Sequence, residues 1–81
     1  MTREELVDKI RRADENSDTT FAEIIREALG GGYVTPRMIA DGLSVSYPTI
    51  RRWSEGLNAP AIPMRAAIYS WLIEQISAQK Q

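Results

Sequence analysis

The chain contains no cysteine and no histidine. Without cysteine there are no disulfides and no thiolate metal sites, which fits a reducing compartment, and a cytoplasmic location is expected. The absence of histidine as well removes the usual zinc ligands and the commonest general base. Carboxylates are present, but no pair of them falls on an apolar face, and no nucleophile–base set can be built, so an enzyme is not expected. No apolar run approaches about 18 residues and no basic-then-apolar leader opens the chain, so neither a membrane span nor a secretory signal is expected. No small-molecule cofactor is expected either.

What remains is a chain of 81 residues, 43% hydrophobic and 26% charged. That is the composition of an ordinary soluble globular domain, read here as a single domain over residues 1–81. It lies near the lower size limit for a core that folds unaided, so burial against a second subunit would add useful stability.

The net charge is −1, but it is unevenly spread. Met1 to Gly30 carries five basic and eight acidic side chains, a balance of −3. From Gly31 to Arg65 the bases are Arg37, Arg51, Arg52 and Arg65 against Asp41 and Glu55, a balance of +2. All four bases are arginine, the side chain suited to bidentate contact with phosphate and guanine. The segment able to meet DNA is therefore the positive one; the competing explanation is a set of solvated arginines with no partner.

Five helices and no strand pair are expected. The first runs from about Arg3 to Glu15, opened by a Thr2–Glu5 capping box and carrying a narrow stripe of Leu6, Val7, Ile10 and Ala13. A second capping box, Thr20 with Glu23, opens a helix that reaches about Leu29 with a broader face of Phe21, Ile24, Ile25, Ala28 and Leu29. Gly30, Gly31 and Gly32 end it. The triple glycine lacks the lysine and hydroxyl of a phosphate-binding loop, and no strand precedes it, so it reads as punctuation. A short third helix spans about Pro36 to Gly42, capped by Thr35 with Pro36 in the first position. The fourth spans about Tyr47 to Glu55, capped by Ser46 and stopped by Gly56. The fifth runs from about Pro63 to Ala78.

Pro36 to Trp53 has the spacing of a helix-turn-helix, with the motif spanning about residues 36–55. Ala40 is small enough for close helix approach, Leu43 and Val45 plug the turn, and Ile50 and Trp53 face inward three residues apart. Ser46, Tyr47, Thr49, Arg51 and Arg52 are left on the outward face, a set that suits base edges and phosphates.

The run MIADGLSVSYPTIRRWSEGLNAP resembles the Cro/C1-type (XRE-like) repressor family in Ala40, Val45, Ser46, Thr49, Ile50, Trp53, Gly56 and Pro60. The resemblance covers about residues 20 to 73. It departs from the family in the turn, where a glycine is often found and Ser44 stands here, with Gly42 two residues earlier. The resemblance implies an all-α, five-helix lambda-repressor-like fold and a sequence-specific transcriptional regulator, a repressor or genetic switch protein, that binds double-stranded DNA. By position it implies base contacts from Tyr47, Pro48, Arg51 and Arg52, and backbone contacts from Ser46, Thr49 and Asn58. Arg37 and Arg65, at the starts of their helices, are candidates to clamp phosphates on either side. Pro48 offers no hydrogen bond and would touch a thymine methyl or stiffen the helix start. Each role has a plainer alternative: Tyr47 packing across the turn, Arg51 pairing with Glu55, Asn58 serving a left-handed turn.

On the fifth helix Ile68, Tyr69, Leu72, Ile73 and Ile76 form one arc that Met64 and Trp71 widen. The arc exceeds the width of a single core face. A homodimer through Met64, Ile68, Trp71 and Leu72 is expected, placing two reading helices about one DNA turn (34 Å) apart on a palindromic operator. The competing arrangement has helix one cover the surplus within the monomer. A second function also fits the sequence: a protein-interaction module on the same scaffold, such as an antitoxin or antiactivator.

Overall fold

The computed structural model describes residues 1–78, and among them all regular structure is helical: α1 (Arg3–Arg11), α2 (Asp18–Gly30), α3 (Pro36–Leu43), α4 (Tyr47–Ser54) and α5 (Ile62–Ser77). None of these helices is long and apolar enough to cross a membrane.

The helix ends follow from local hydrogen bonding. At α1 the expected capping box is present: the Thr2 amide donates to Glu5 Oε1 at 2.8 Å and the Glu5 amide to Thr2 Oγ1 at 3.1 Å. Hydrogen bonding to the carboxylate from the Thr2 amide first, then from its side chain, lowers the Glu5 pKa from its ordinary value. The helix stops at Arg11, four residues short of the expected Glu15. Asp14 Oδ1 accepts from the Asn16 amide at 2.9 Å and the Asp14 carbonyl from the Ser17 amide at 3.0 Å. This side-chain-stabilised turn competes with another helical turn.

Helix α2 likewise starts earlier than the Thr20–Glu23 box implies. Ser17 is its N-cap, accepting from the Thr20 amide at 3.1 Å, and Asp18 sits favourably at the positive end of the helix dipole. Glu23 is thereby released from capping. With Glu27 it receives the Lys9 ammonium of α1, at 3.3 and 3.0 Å, so the pair ties α1 to α2. The Glu27 carboxylate first, then Glu23, holds the Lys9 pKa above its ordinary value.

Thr35 caps α3 by accepting from the Met38 amide at 3.1 Å, with Pro36 in the first turn. The helix reaches Leu43 because Ser44 adopts the left-handed conformation (φ 58°, ψ 46°), turning the chain sharply into α4. The Val45 amide then closes on the Ala40 carbonyl at 3.3 Å.

The core centres on Phe21 of α2, fully buried, whose ring meets Trp53 of α4 edge-on at 5.3 Å and Tyr69 of α5 at 5.9 Å. Leu6, Val7 and Ile10 of α1 join Ile68, Leu72 and Ile76 of α5 in the same cluster, and α1 packs along α5. The wide apolar arc of α5 is thus largely consumed inside the monomer, as the alternative to a dimer arrangement required. Ile68 and Leu72, expected at a subunit interface, are core residues at 5% and 0% exposure. Trp71 is half-buried and its indole lies against Gly42 of α3. Of the four expected interface residues, Met64 alone stays exposed.

Candidate nucleic-acid interface

Helix α4 is short, eight residues, and packs against α2 and α3. Ser46 caps it: the Thr49 amide donates to Ser46 Oγ at 3.3 Å, and the two hydroxyls share a hydrogen bond at 2.9 Å. Pro48 lies in the first turn, where no amide proton is needed. At the other end Arg26 of α2 reaches across and donates from Nη1 to the Ser54 carbonyl at 2.8 Å, a cation placed on the negative end of the helix. Gly56 then takes φ +74° and turns the chain away.

Ile50 and Trp53 point into the core at 2% and 5% exposure. Their burial pins the helix with the other side outward. Tyr47, Pro48, Arg51, Arg52, Glu55 and Leu57 line one shallow depression along that side. Tyr47 is exposed and does not pack across the turn.

The arginines differ in how they are held. Arg52 is exposed and has no ion-pair partner among the described residues. Arg51 pairs with Glu55 one turn on, Nε to Oε2 at 3.4 Å, and Arg37 with Asp41 at 3.7 Å. Both pairs are solvent-exposed, so each contributes no more than about 1 kcal/mol and exchanges readily for a stronger anion. A phosphate is such a competitor, and the two neutral acceptors of a guanine edge match the same bidentate geometry.

Asn58 is exposed in the loop after α4, and its φ is not positive, so the left-handed turn falls to Gly56 instead. Ser46 and Thr49 spend their hydroxyls on each other and on the helix start.

Arg65 corrects the expectation of a phosphate clamp. It is buried, at 4% exposure, and each of its three guanidinium nitrogens has a partner. Nε donates to the Pro60 carbonyl at 3.0 Å, Nη1 to the Glu15 carbonyl at 2.9 Å, and Nη2 pairs with Asp18 Oδ1 at 2.6 Å. The Phe21 ring lies 6.0 Å below. Burying such a charge is costly unless it is paired and hydrogen-bonded, and here every nitrogen is engaged. Nothing in the sequence distinguishes Arg65 from the exposed arginines, because its acceptors are two backbone carbonyls and an aspartate 47 positions earlier. Arg26 was missed for the same reason: it lies in the acidic half of the chain, and only packing brings it to the end of α4.

Beside α4, an apolar groove of about 460 Å3 runs between the α3–α4 turn and α5, lined by Leu43, Val45, Trp53, Met64, Ala67 and Ile68 among others. It is continuous with exposed Met64 and holds no charged side chain.

Comparison of this chain with known protein families, with curated proteins and with solved structures finds no match.

Proposed function

We propose that this protein is a sequence-specific DNA-binding regulator in which α3 and α4 form a helix-turn-helix of lambda-repressor type and α4 enters the major groove. One observation carries the reading. Ile50 and Trp53 are buried while Arg51 and Arg52, one and two positions away, stand in solvent on a helix stiffened by Ser46 and Pro48. A short, rigidly backed helix with outward guanidiniums is what a groove reader requires. Arg52 supplies base discrimination, Tyr47 and Pro48 offer apolar contact near the helix start, and Arg37, Asn58 and Arg51 meet the backbone or neighbouring bases.

Binding to a two-fold operator calls for a dimer. With Ile68 and Leu72 in the core and Trp71 against Gly42, the surface for a second copy shrinks to the start of α5. Ile62 and Met64 are exposed there beside the apolar groove.

The deciding experiment is binding-site selection from a random double-stranded DNA pool, followed by a salt titration on the selected sequence. A palindromic consensus, with affinity falling steeply as salt rises, supports the reading. Failure to enrich any sequence sinks it.

A second reading, a protein-interaction module, is favoured by the exposed Tyr47 and Leu57 at the two ends of the α4 depression, 57% and 70% accessible. In that case α4 meets a protein surface, and no salt-dependent shift of DNA is seen.

A further inference from the structure

We propose that Arg65 is a positioning residue that holds the loop 57–61 in register with α4, and so sets where Asn58 and Leu57 stand relative to bound DNA. The second half of this statement rests on the DNA-binding reading above; the first half does not.

The loop has little else to fix it. Among the described residues, the segment 58–60 makes one hydrogen bond to the rest of the protein, and Arg65 Nε donates it, to the Pro60 carbonyl at 3.0 Å. The neighbouring Leu57 amide bonds back to the Arg52 carbonyl at 2.9 Å, which belongs to α4 itself, and Ala59 packs against the core. The other two nitrogens of Arg65 are anchored on the opposite side, to Glu15 in the turn between α1 and α2 and to Asp18 at the start of α2. The planar guanidinium therefore spans two chain segments more than forty residues apart and holds the loop at a fixed distance from the body of the fold. Its plane is further supported by Phe21, the ring against which Trp53 of α4 is packed. Lysine could replace the charge but not the three-way fork, since its ammonium is a point donor on a flexible stem.

The test uses the whole chain. Backbone order parameters of Asn58, Ala59 and Ala61 are measured by nitrogen relaxation in wild type, Arg65→Lys, Asp18→Asn and Ile76→Val. The Ile76→Val variant lowers stability from the far end of α5 and controls for general loosening. Expected are values near the rigid range of about 0.85 in wild type, falling below about 0.6 in Arg65→Lys alone. Asp18→Asn keeps both carbonyl bonds and leaves the loop ordered. A loop equally ordered in Arg65→Lys overturns the proposal, as does equal loosening in Ile76→Val. Should Arg65→Lys not fold, the wild type decides: a disordered loop there is incompatible with a clamp.

On the selected DNA, well below the unfolding temperature, Arg65→Lys is expected to bind about tenfold more weakly with the salt slope unchanged. A slope reduced by about one makes Arg65 a phosphate ligand and overturns the assignment. Unchanged affinity with a loosened loop overturns the link to DNA. If wild type binds no DNA at all, the regulatory reading fails, and the order parameters still decide whether Arg65 positions the loop.

Discussion

The indole of Trp71 on α5 occupies the space that a side chain at Gly42 on α3 would need. The contact explains why a glycine sits one residue from the end of a helix, where alanine is intrinsically the better helix former. It also fixes the side of α5 on which the half-buried Trp71 lies, against α3.

Gly42→Ala is therefore expected to destabilise by about 1–3 kcal/mol, against a propensity gain of about 1 kcal/mol for the same change on an open helix. Thermal or urea unfolding measures it. A rise in the midpoint would show that Trp71 yields at no cost.

Ser44→Gly has the opposite expected sign. Ser44 is the one residue other than glycine with positive φ among the described residues. Relieving that conformation offsets the added chain entropy and stabilises by up to about 1 kcal/mol. A lower midpoint for the glycine variant would mean that the Ser44 side chain stabilises the turn in a way its backbone does not show.

Arg52→Ala and Arg37→Ala separate base reading from phosphate contact. Both are exposed, so stability should stay within about 0.5 kcal/mol of wild type. On the selected operator, Arg52→Ala is expected to lose about 1–3 kcal/mol and to relax preference at one position, whereas Arg37→Ala weakens all sequences alike and lowers the salt slope by about one. Operator affinity unaltered by Arg52→Ala would remove that residue from the interface.

Tyr69 is buried and its hydroxyl has no hydrogen-bond partner among the described residues. Removing an unsatisfied buried hydroxyl is neutral or stabilising, so Tyr69→Phe should match or exceed the wild-type unfolding midpoint at pH 7. The alkaline limb provides a second readout. Burial raises the Tyr69 pKa, and the Glu27 and Glu23 carboxylates raise that of Lys9. A folded-state pKa above the unfolded one gives stability that is complete below the unfolded value and lost as pH climbs through the folded value. Wild type should therefore lose stability as pH rises beyond about 10, where free tyrosine and lysine titrate, and Tyr69→Phe should lose less of it. Parallel limbs for the two proteins would exclude Tyr69 as a cause.

Helix count, helix order and most caps were legible in the chain because they depend on neighbours within four positions. Thr2 with Glu5, Thr35 with Pro36 and Ser46 with Pro48 all act locally. The misplaced boundaries arose where two local solutions compete. Asp14 closes a turn before α1 can reach Glu15, and Ser17 captures the start of α2 before Thr20 can. The inward direction of Ile50 and Trp53, which leaves Arg51 and Arg52 outside, was also readable from their three-residue spacing.

The candidate site was legible only where it lies on a single helix. On charge and position Arg65 and Arg37 look alike, yet one is buried among carbonyls and the other stands in solvent. The apolar arc of α5 likewise shows how much surface must be covered but not by what.

Local patterning by itself determined that this is an all-helical chain whose fourth helix presents arginines on the side opposite its anchors, because side-chain direction on a helix follows from a period of 3.6 residues. Tertiary packing decided the rest: that α1 packs along α5, that Trp71 closes on Gly42, and that Arg65 ties Pro60 to Glu15 and Asp18. Those contacts join elements far apart in the chain, α1 with α5 at the extreme, and no local spacing specifies which distant carbonyl or ring a side chain will meet once the helices have packed.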